Sequence, residues 1–339
     1  MRLSEFDFPF DPSLVALQPL SPRDRARLLF LDRTTQQSIH HHVTDLPSLL
    51  KPGDLLVVND TKVLAARVPG IKRPTGTPVD VLFVKDLGAG RWEIMVKGSF
   101  RVGQAIDFDE RSHARIVKRD ASGTEVIVES SVPVIRLFEE RGAMPLPPYI
   151  KRAPTQEDHH WYQTVFAKHG GAIAAPTAGL HLTEELFQRL RNAGIEVVTV
   201  TLHVGPGTFK PVTTEQIEDH QIGGEVFHVS EDTAGTIIRT KRAGGRVVAV
   251  GTTVVRTLET VMKEKGEMAP LSGESRLFIT PGFEFKIVDA LMTNFHLPKT
   301  TLLMLVSAFA STDRIRSAYE EAVKERYRFY SYGDAMLIV

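Results

Sequence analysis

The chain of 339 residues contains no cysteine. That absence removes disulfides, thiolate nucleophiles, CxxC zinc sites and iron–sulfur clusters from consideration. An excess of one charge is missing too, since 41 Lys and Arg stand against 41 Asp and Glu. Any contact with a polyanion must then come from a local patch. Long apolar runs are also absent. The longest, Thr301 to Ala310 (TLLMLVSAFA), falls far short of the ~20 residues a membrane span needs. The start MRLSEFDFPF has no apolar h-region, so it does not read as a secretory leader, and a soluble, cytoplasmic protein without membrane contact is expected. There is no GxxxxGK[ST] phosphate loop, no HExxH, and no glycine-rich acidic loop of the common methyltransferase type. Gly205-Pro206-Gly207 is not a dinucleotide fingerprint, because position 210 is Lys and Pro206 has no N–H. Ordinary nucleotide-cofactor folds and metal sites are therefore not expected.

What is present is ordinary for a globular protein: 42% hydrophobic and 24% charged residues, enough for a proper core. At about 150 residues per domain, the length suggests two domains. Up to Arg67 the chain mixes a helix-like segment (RDRARLLFLDR, 23–33) with an apolar strand at Leu55 to Val58 announced by Pro52-Gly53. His40-His41-His42 reads as a solvated loop, since three adjacent histidines cannot all face one ion. From Val68 to about Ser131, short strands alternate with turns: 79–85, 91–96, 104–108, 113–118 and 124–129, with 64–68 as a sixth. Such spacing predicts a small antiparallel barrel. Met144-Pro-Leu-Pro-Pro-Tyr149 is stiff and extended and reads as the return linker of an insertion. The expected domains are a discontinuous α/β unit, 1–67 with 148–339, and an inserted barrel, 68–147.

Beyond Trp161 helices and strands alternate. Thr183 is an N-cap, Glu184 and Glu185 suit the first turn, and Leu186, Phe187 and Leu190 form a stripe before Gly194. A strand at 195–204 follows, then a helix from Ser230 to Gly244 and a strand at 246–250. A helix opening at Gly251-Thr252-Thr253, a strand at 287–292 and a helix from Thr300 complete the series. This is an α/β pattern with helices on a largely parallel sheet.

Ligands of open α/β sheets bind beyond the carboxyl ends of the strands. Three segments fall on that edge: His203 to Thr208, Gly251-Thr252-Thr253 with Arg256 one turn on, and Thr293-Asn294-Phe295-His296. His203 and His296 are titratable candidates, although either can equally be a satisfied core histidine. Gly251-Thr252-Thr253 offers backbone N–H groups and hydroxyls to a carboxylate or phosphate. Arg256 can join that anion bidentately or pair with Glu259. The small-residue stretch 170–181, with Ala175, Thr177 and Gly179, lets a flat ligand approach the backbone. Asp219 and Glu225 concentrate acid/base groups, as a surface ion cluster also would. Arg326, Arg328, Tyr330 and Tyr332 interleave cations with aromatics, which suits phosphates and stacked bases or an amphipathic strand with its rings inward. Lys97 and Arg101 mark a second basic face on the barrel.

Long strings then carry a resemblance. GGAIAAPTAGLH (170–181), VTLHVGPGTFKPV (200–212), GTTVVRTLET (251–260), TNFHLPKTTLLMLVSAFA (293–310) and YRFYSYGDAMLI (327–338) closely resemble the S-adenosylmethionine:tRNA ribosyltransferase-isomerase (QueA) family of queuosine biosynthesis. GDLLV (53–57), VVNDTKVLAAR (57–67) and MPLPPYI (144–150) match as well. The resemblance implies a three-layer αβα domain interrupted by an antiparallel β-barrel. It implies that S-adenosylmethionine is a co-substrate donating its ribosyl group, with no further cofactor. The implied acceptor is an aminomethyl-deazaguanine (preQ1) at the wobble position of a tRNA anticodon loop, and the implied products are epoxyqueuosine, adenine and methionine. The protein is expected to be a monomer or to associate weakly.

Within that chemistry His203 is the leading base and His296 the second. Thr252, Thr253 and Arg256 would take the methionine carboxylate, Asn294 the adenine edge or the ribose, and loop 174–179 the floor of the pocket. Two departures stand out. Gly223-Gly224 replaces the family's usual His-(Ser/Ala) before Glu225, and Val254 replaces a hydroxyl residue. The alternatives are a divergent paralogue acting on another acceptor and a catalytically silent RNA-binding module.

Overall fold

The computed structural model describes all residues except 36, 120–125, 206 and 208–211. The strand Leu55–Asn59 is buried along its whole length, as continuous apolar runs are when both faces of a parallel sheet are covered. It lies in the interior of a nine-stranded sheet, parallel to Glu196–Leu202 on one side and to Val247–Val250 on the other. Ala290–Asn294 continues the parallel run beside Val247–Val250. The flanks are mixed. Glu225–Val229 and Leu271–Ser275 add antiparallel ladders at one edge. At the other, Ala335–Ile338 runs antiparallel to Ala290–Asn294 and parallel to Arg27–Leu31, which the edge strand Ser38–His42 follows.

Alternation along the strand Leu55–Asn59 divides the core in two. Leu55 and Val57 pack with the helices Glu231–Arg242, Thr252–Lys265, Thr301–Ala310 and Thr312–Lys324, whereas Leu56 and Val58 pack with Leu46–Leu49 and Glu184–Asn192. The result is three layers, αβα. Helix starts follow the expected chemistry: Thr183 and Ser230 each accept an N–H from three residues on, at 3.1 Å. Gly251 opens the helix Thr252–Lys265 at φ 95°, a conformation that suits glycine.

Six antiparallel strands, Arg67–Lys72, Thr77–Gly88, Arg91–Val96, Ala105–Asp107, His113–Arg119 and Val126–Ser130, close into a barrel. The start of the last strand, expected at 124, lies outside the described residues. An unforeseen helix, Val134–Arg141, buries Val134, Leu137 and Phe138 in the barrel core. The ring of Phe138 stands edge-on to both Phe83 and Trp92.

Three local expectations are corrected. The helix-like segment 23–33 is a short 3₁₀ turn, Arg23–Arg25, followed by the strand Arg27–Leu31. Its short apolar run suits either element, and pairing with Ala335–Ile338 decides it. His40-His41-His42 lies in the edge strand Ser38–His42, where His40 Nδ1 meets the Tyr327 hydroxyl at 2.6 Å. Finally, 287–289 precede the strand that begins at Ala290, because the N–H groups of Lys286, Ile287 and Val288 all donate to the buried Glu259 carboxylate.

Candidate active site

Four parallel strands deliver their last residues to one edge: Asn59, Leu202 before His203, Val250 before Gly251, and Asn294. Asn59 ties the edge together. Its Oδ1 accepts from the N–H groups of Thr61 and Leu202, and its Nδ2 donates to Leu202 O and Thr253 Oγ1, at 3.0–3.2 Å. Sequence reasoning passed over Asn59-Asp60-Thr61, although the strand-end rule applied to the other three strands would have found it.

His203 lines a groove of about 760 Å³ between the α/β core and the barrel, whose far wall includes Trp92 and Glu93. That volume lies within the range of small-molecule sites. His203 Nδ1 meets Thr61 Oγ1 at 2.8 Å. A Cβ on Gly171 would stand 2.8 Å from three atoms of the imidazole, so only glycine lets the ring lie there. Burial lowers the His203 pKa, the neighbouring His169 lowers it further, and Asp60 opposes both. Asp60 is itself anchored, accepting from Thr201 Oγ1 at 2.6 Å. The ring is thus neutral at neutral pH. When Nδ1–H donates to Thr61, the free lone pair is on Nε2.

Arg256 and Glu225 lie on the same groove as a buried ion pair, each 7% exposed at the side chain. Glu225 also accepts from Gly205 N–H at 2.9 Å, and Arg256 donates to the carbonyls of Leu277 and Ser275. This corrects two expectations. The partner of Arg256 is Glu225, not Glu259, and its guanidinium is already committed rather than waiting for a ligand carboxylate. Ile222, Gly223 and Gly224 line the groove beside this pair. A Cβ on Gly224 would meet the Glu274 carboxylate at 2.0 Å, so the glycine there and the position of Glu274 go together. Val254, the second departure, is fully buried in the core and does not face the site.

A narrow cleft adjoins the groove and shares Val204 and Leu302 with it. Ala175, Thr177, Gly251, Thr252, Thr253, Asn294, His296 and Tyr330 line it. Asn294 Nδ2 contacts His181 Nε2 and donates to Tyr330 O, both at 3.1 Å, which sets the amide orientation. Its Oδ1 is buried without a partner, as is the Tyr330 hydroxyl. His296 is 8% exposed, with Nε2 on Thr293 Oγ1 at 2.8 Å and its backbone N–H donating to the Tyr319 hydroxyl. Burial drives its pKa down to about 3 and that of His181 to about 4. His296 therefore stays neutral and bound to Thr293.

Other expected residues fall elsewhere. Gly179 lies against Phe166, where a Cβ would come within 2.8 Å of the ring, so its smallness serves packing. Asp219 is exposed on the 3₁₀ turn Ile217–Asp219 and lines neither groove nor cleft. Pro206 and Thr208 lie outside the described residues. Tyr330 and Tyr332 are 4% and 2% exposed, their rings packed among other aromatics and not offered to bases from solvent. Arg326 is exposed and Arg328 half-buried, held by Gln18 O and Asp334. Lys97 and Arg101 are exposed on the barrel. Among the described residues no three His, Asp or Glu side chains gather as a metal site would require, and no helix is long and apolar enough to cross a membrane.

Residues 3–338 match the family model described as queuosine biosynthesis protein. The chain is 46% identical over 343 aligned residues to an S-adenosylmethionine:tRNA ribosyltransferase-isomerase of Desulforamulus reducens, covering all of both chains. The crystal structure of S-adenosylmethionine tRNA ribosyltransferase from Thermotoga maritima matches with a TM-score of 0.58 and 37% identity, over 99% of this chain and 100% of that one.

Proposed function

We propose, on the premise that this chain belongs to the queuosine biosynthesis protein family, that it transfers and isomerises the ribosyl group of S-adenosylmethionine onto preQ1 at the wobble position of tRNA. The products are epoxyqueuosine, adenine and methionine. The observation that carries this reading is the end-to-end 46% identity to a ribosyltransferase-isomerase. A tRNA substrate fits a cytoplasmic protein.

The reaction asks for a base that removes the C5′ proton, acidified by the adjacent sulfonium. His203 suits it: the ring faces a ligand-sized groove, is neutral, and is fixed through Nδ1 by Thr61. A base with a pKa somewhat below neutrality is almost wholly unprotonated at working pH. His296 suits it less, with its Nε2 bound to Thr293 and its pKa near 3. The methionine carboxylate goes to the start of the helix Thr252–Lys265, where the first N–H groups have no intrahelical partner and the dipole favours an anion. Glu225 and Arg256 act as a paired wall of the groove. The substrate base sits in an anticodon loop, where unstacking is cheaper than in a duplex, and Lys97, Arg101 and Arg326 are exposed cations that can meet its phosphates.

The test incubates the protein with S-adenosylmethionine and an anticodon stem-loop carrying preQ1, following adenine release and nucleoside mass together. Adenine released in step with an epoxide-bearing nucleoside is the expected result. Adenine without modified RNA would mean another acceptor. No turnover with retained RNA binding would mean a silent binding module.

A further inference from the structure

Asn294 and Tyr330 line the cleft beside the groove, and each has a buried polar atom without a partner in the protein, Asn294 Oδ1 and the Tyr330 hydroxyl. An unpaired buried acceptor costs free energy, so a ligand donor that reached it would bind favourably. The amide orientation is not arbitrary. Nδ2 faces Tyr330 O at 3.1 Å, a carbonyl that only an N–H can satisfy, so the acceptor end is the free one. The start of the helix Thr252–Lys265, fourteen residues long, reaches the same cleft through Thr252 and Thr253. The lining thus offers both a place for an anion and an acceptor for a hydrogen-bond donor.

The cleft is small, about 60 Å³, beside a groove of about 760 Å³. An α-amino-acid head, consisting of a carboxylate, a Cα and an ammonium, is a compact group that carries both an anion for the helix start and a donor for Asn294.

We infer that this cleft is the amino-acid subsite of the co-substrate: Asn294 Oδ1 accepts from the α-ammonium of the methionine moiety while the helix start at Thr252 and Thr253 receives its carboxylate. Asn294 thereby reads the ammonium and not the adenine edge, and the nucleoside extends past Val204 and Leu302 into the groove that His203 faces. Gly251 at φ 95° brings the backbone to the carboxylate without a side chain in between. The inference rests on S-adenosylmethionine being the co-substrate.

Calorimetry on the full chain tests it with S-adenosylhomocysteine and three analogues, one lacking the α-ammonium, one lacking the carboxylate, and one with inosine in place of adenosine. For the wild type, loss of the ammonium should weaken binding about tenfold or more, as for a hydrogen bond to a charged group. In Asn294→Ala that penalty should shrink to about twofold while the inosine penalty is unchanged. Thr252→Val, a near-isosteric change that removes one hydroxyl and keeps the backbone N–H groups, should reduce the carboxylate penalty a few-fold and keeps the test open if Asn294→Ala does not fold. If Asn294→Ala instead erases the inosine penalty, or both variants leave all three penalties intact, the subsite assignment is overturned. A wild-type protein that binds none of the four compounds would overturn the co-substrate reading itself.

Discussion

Replacing His203 by Ala should lower turnover by about two to four orders of magnitude, the span of general-base catalysis. Binding of S-adenosylhomocysteine should stay within a few-fold; single-turnover kinetics beside calorimetry would separate the two, and near-normal turnover would remove His203 from the base role. Its lowered pKa gives a signed pH dependence. The base form is lost as pH falls through the folded value, so the acid limb of kcat/KM should lie below pH 6.5. His296 and His181 give a second signature, in stability. Both are buried neutral, with folded pKa values of about 3 and 4 against an unfolded value near 6.5. Between these limits the unfolded chain binds more protons, so stability rises with pH across that window and is lost as pH drops below about 6.5. Denaturant midpoints at pH 7 and 5 should differ accordingly, and His296→Asn should flatten the difference.

At the scale of elements, the groove wall depends on one strand meeting one helix. Glu225 begins the strand Glu225–Val229, and Arg256 sits one turn into the helix Thr252–Lys265. Glu225→Ala leaves a buried guanidinium without its counter-charge and should cost about 3–5 kcal/mol, read as a lower urea midpoint at unchanged slope. An unchanged midpoint would mean that the groove lets water solvate Arg256. The same pair explains why the site was only partly legible from sequence. Arg256 and Glu225 were each picked out on chemistry alone, but their pairing depends on a strand-to-helix contact across thirty residues of chain that no local pattern encodes. Glu259 shows the converse. Its spacing on the helix invited a partnership with Arg256, yet its carboxylate holds three backbone N–H groups ahead of the strand Ala290–Asn294.

At the scale of the whole molecule, barrel and core meet along the groove, with Lys85 of the barrel reaching Glu274 of the core at 3.2 Å. The net charge is zero, so RNA affinity should come from a few exposed cations and respond to them individually. Charge reversal at Lys97 and Arg101 together should weaken stem-loop binding and reduce the salt slope by about 0.7 per lost phosphate contact. An unchanged slope would place the RNA on another face, for which Arg326 is the next exposed cation to test. Tyr330 and Tyr332, buried among aromatics, should contribute nothing by stacking on bases.

Much was settled by the residues alone. Periodicity and turn chemistry fixed the class of most elements, including five of the six barrel strands to within a few residues, because those signals are local. The strand-end rule likewise points to His203, Gly251 and Asn294 from the sequence. What only the tertiary structure decided is which groups are spoken for. Whether Arg256 is free, whether Tyr330 faces solvent, whether 27–31 coils or extends, and where an acceptor is left unpaired all depend on partners distant in sequence. Burial and pairing set the energy of a polar group, and both are properties of the assembled fold.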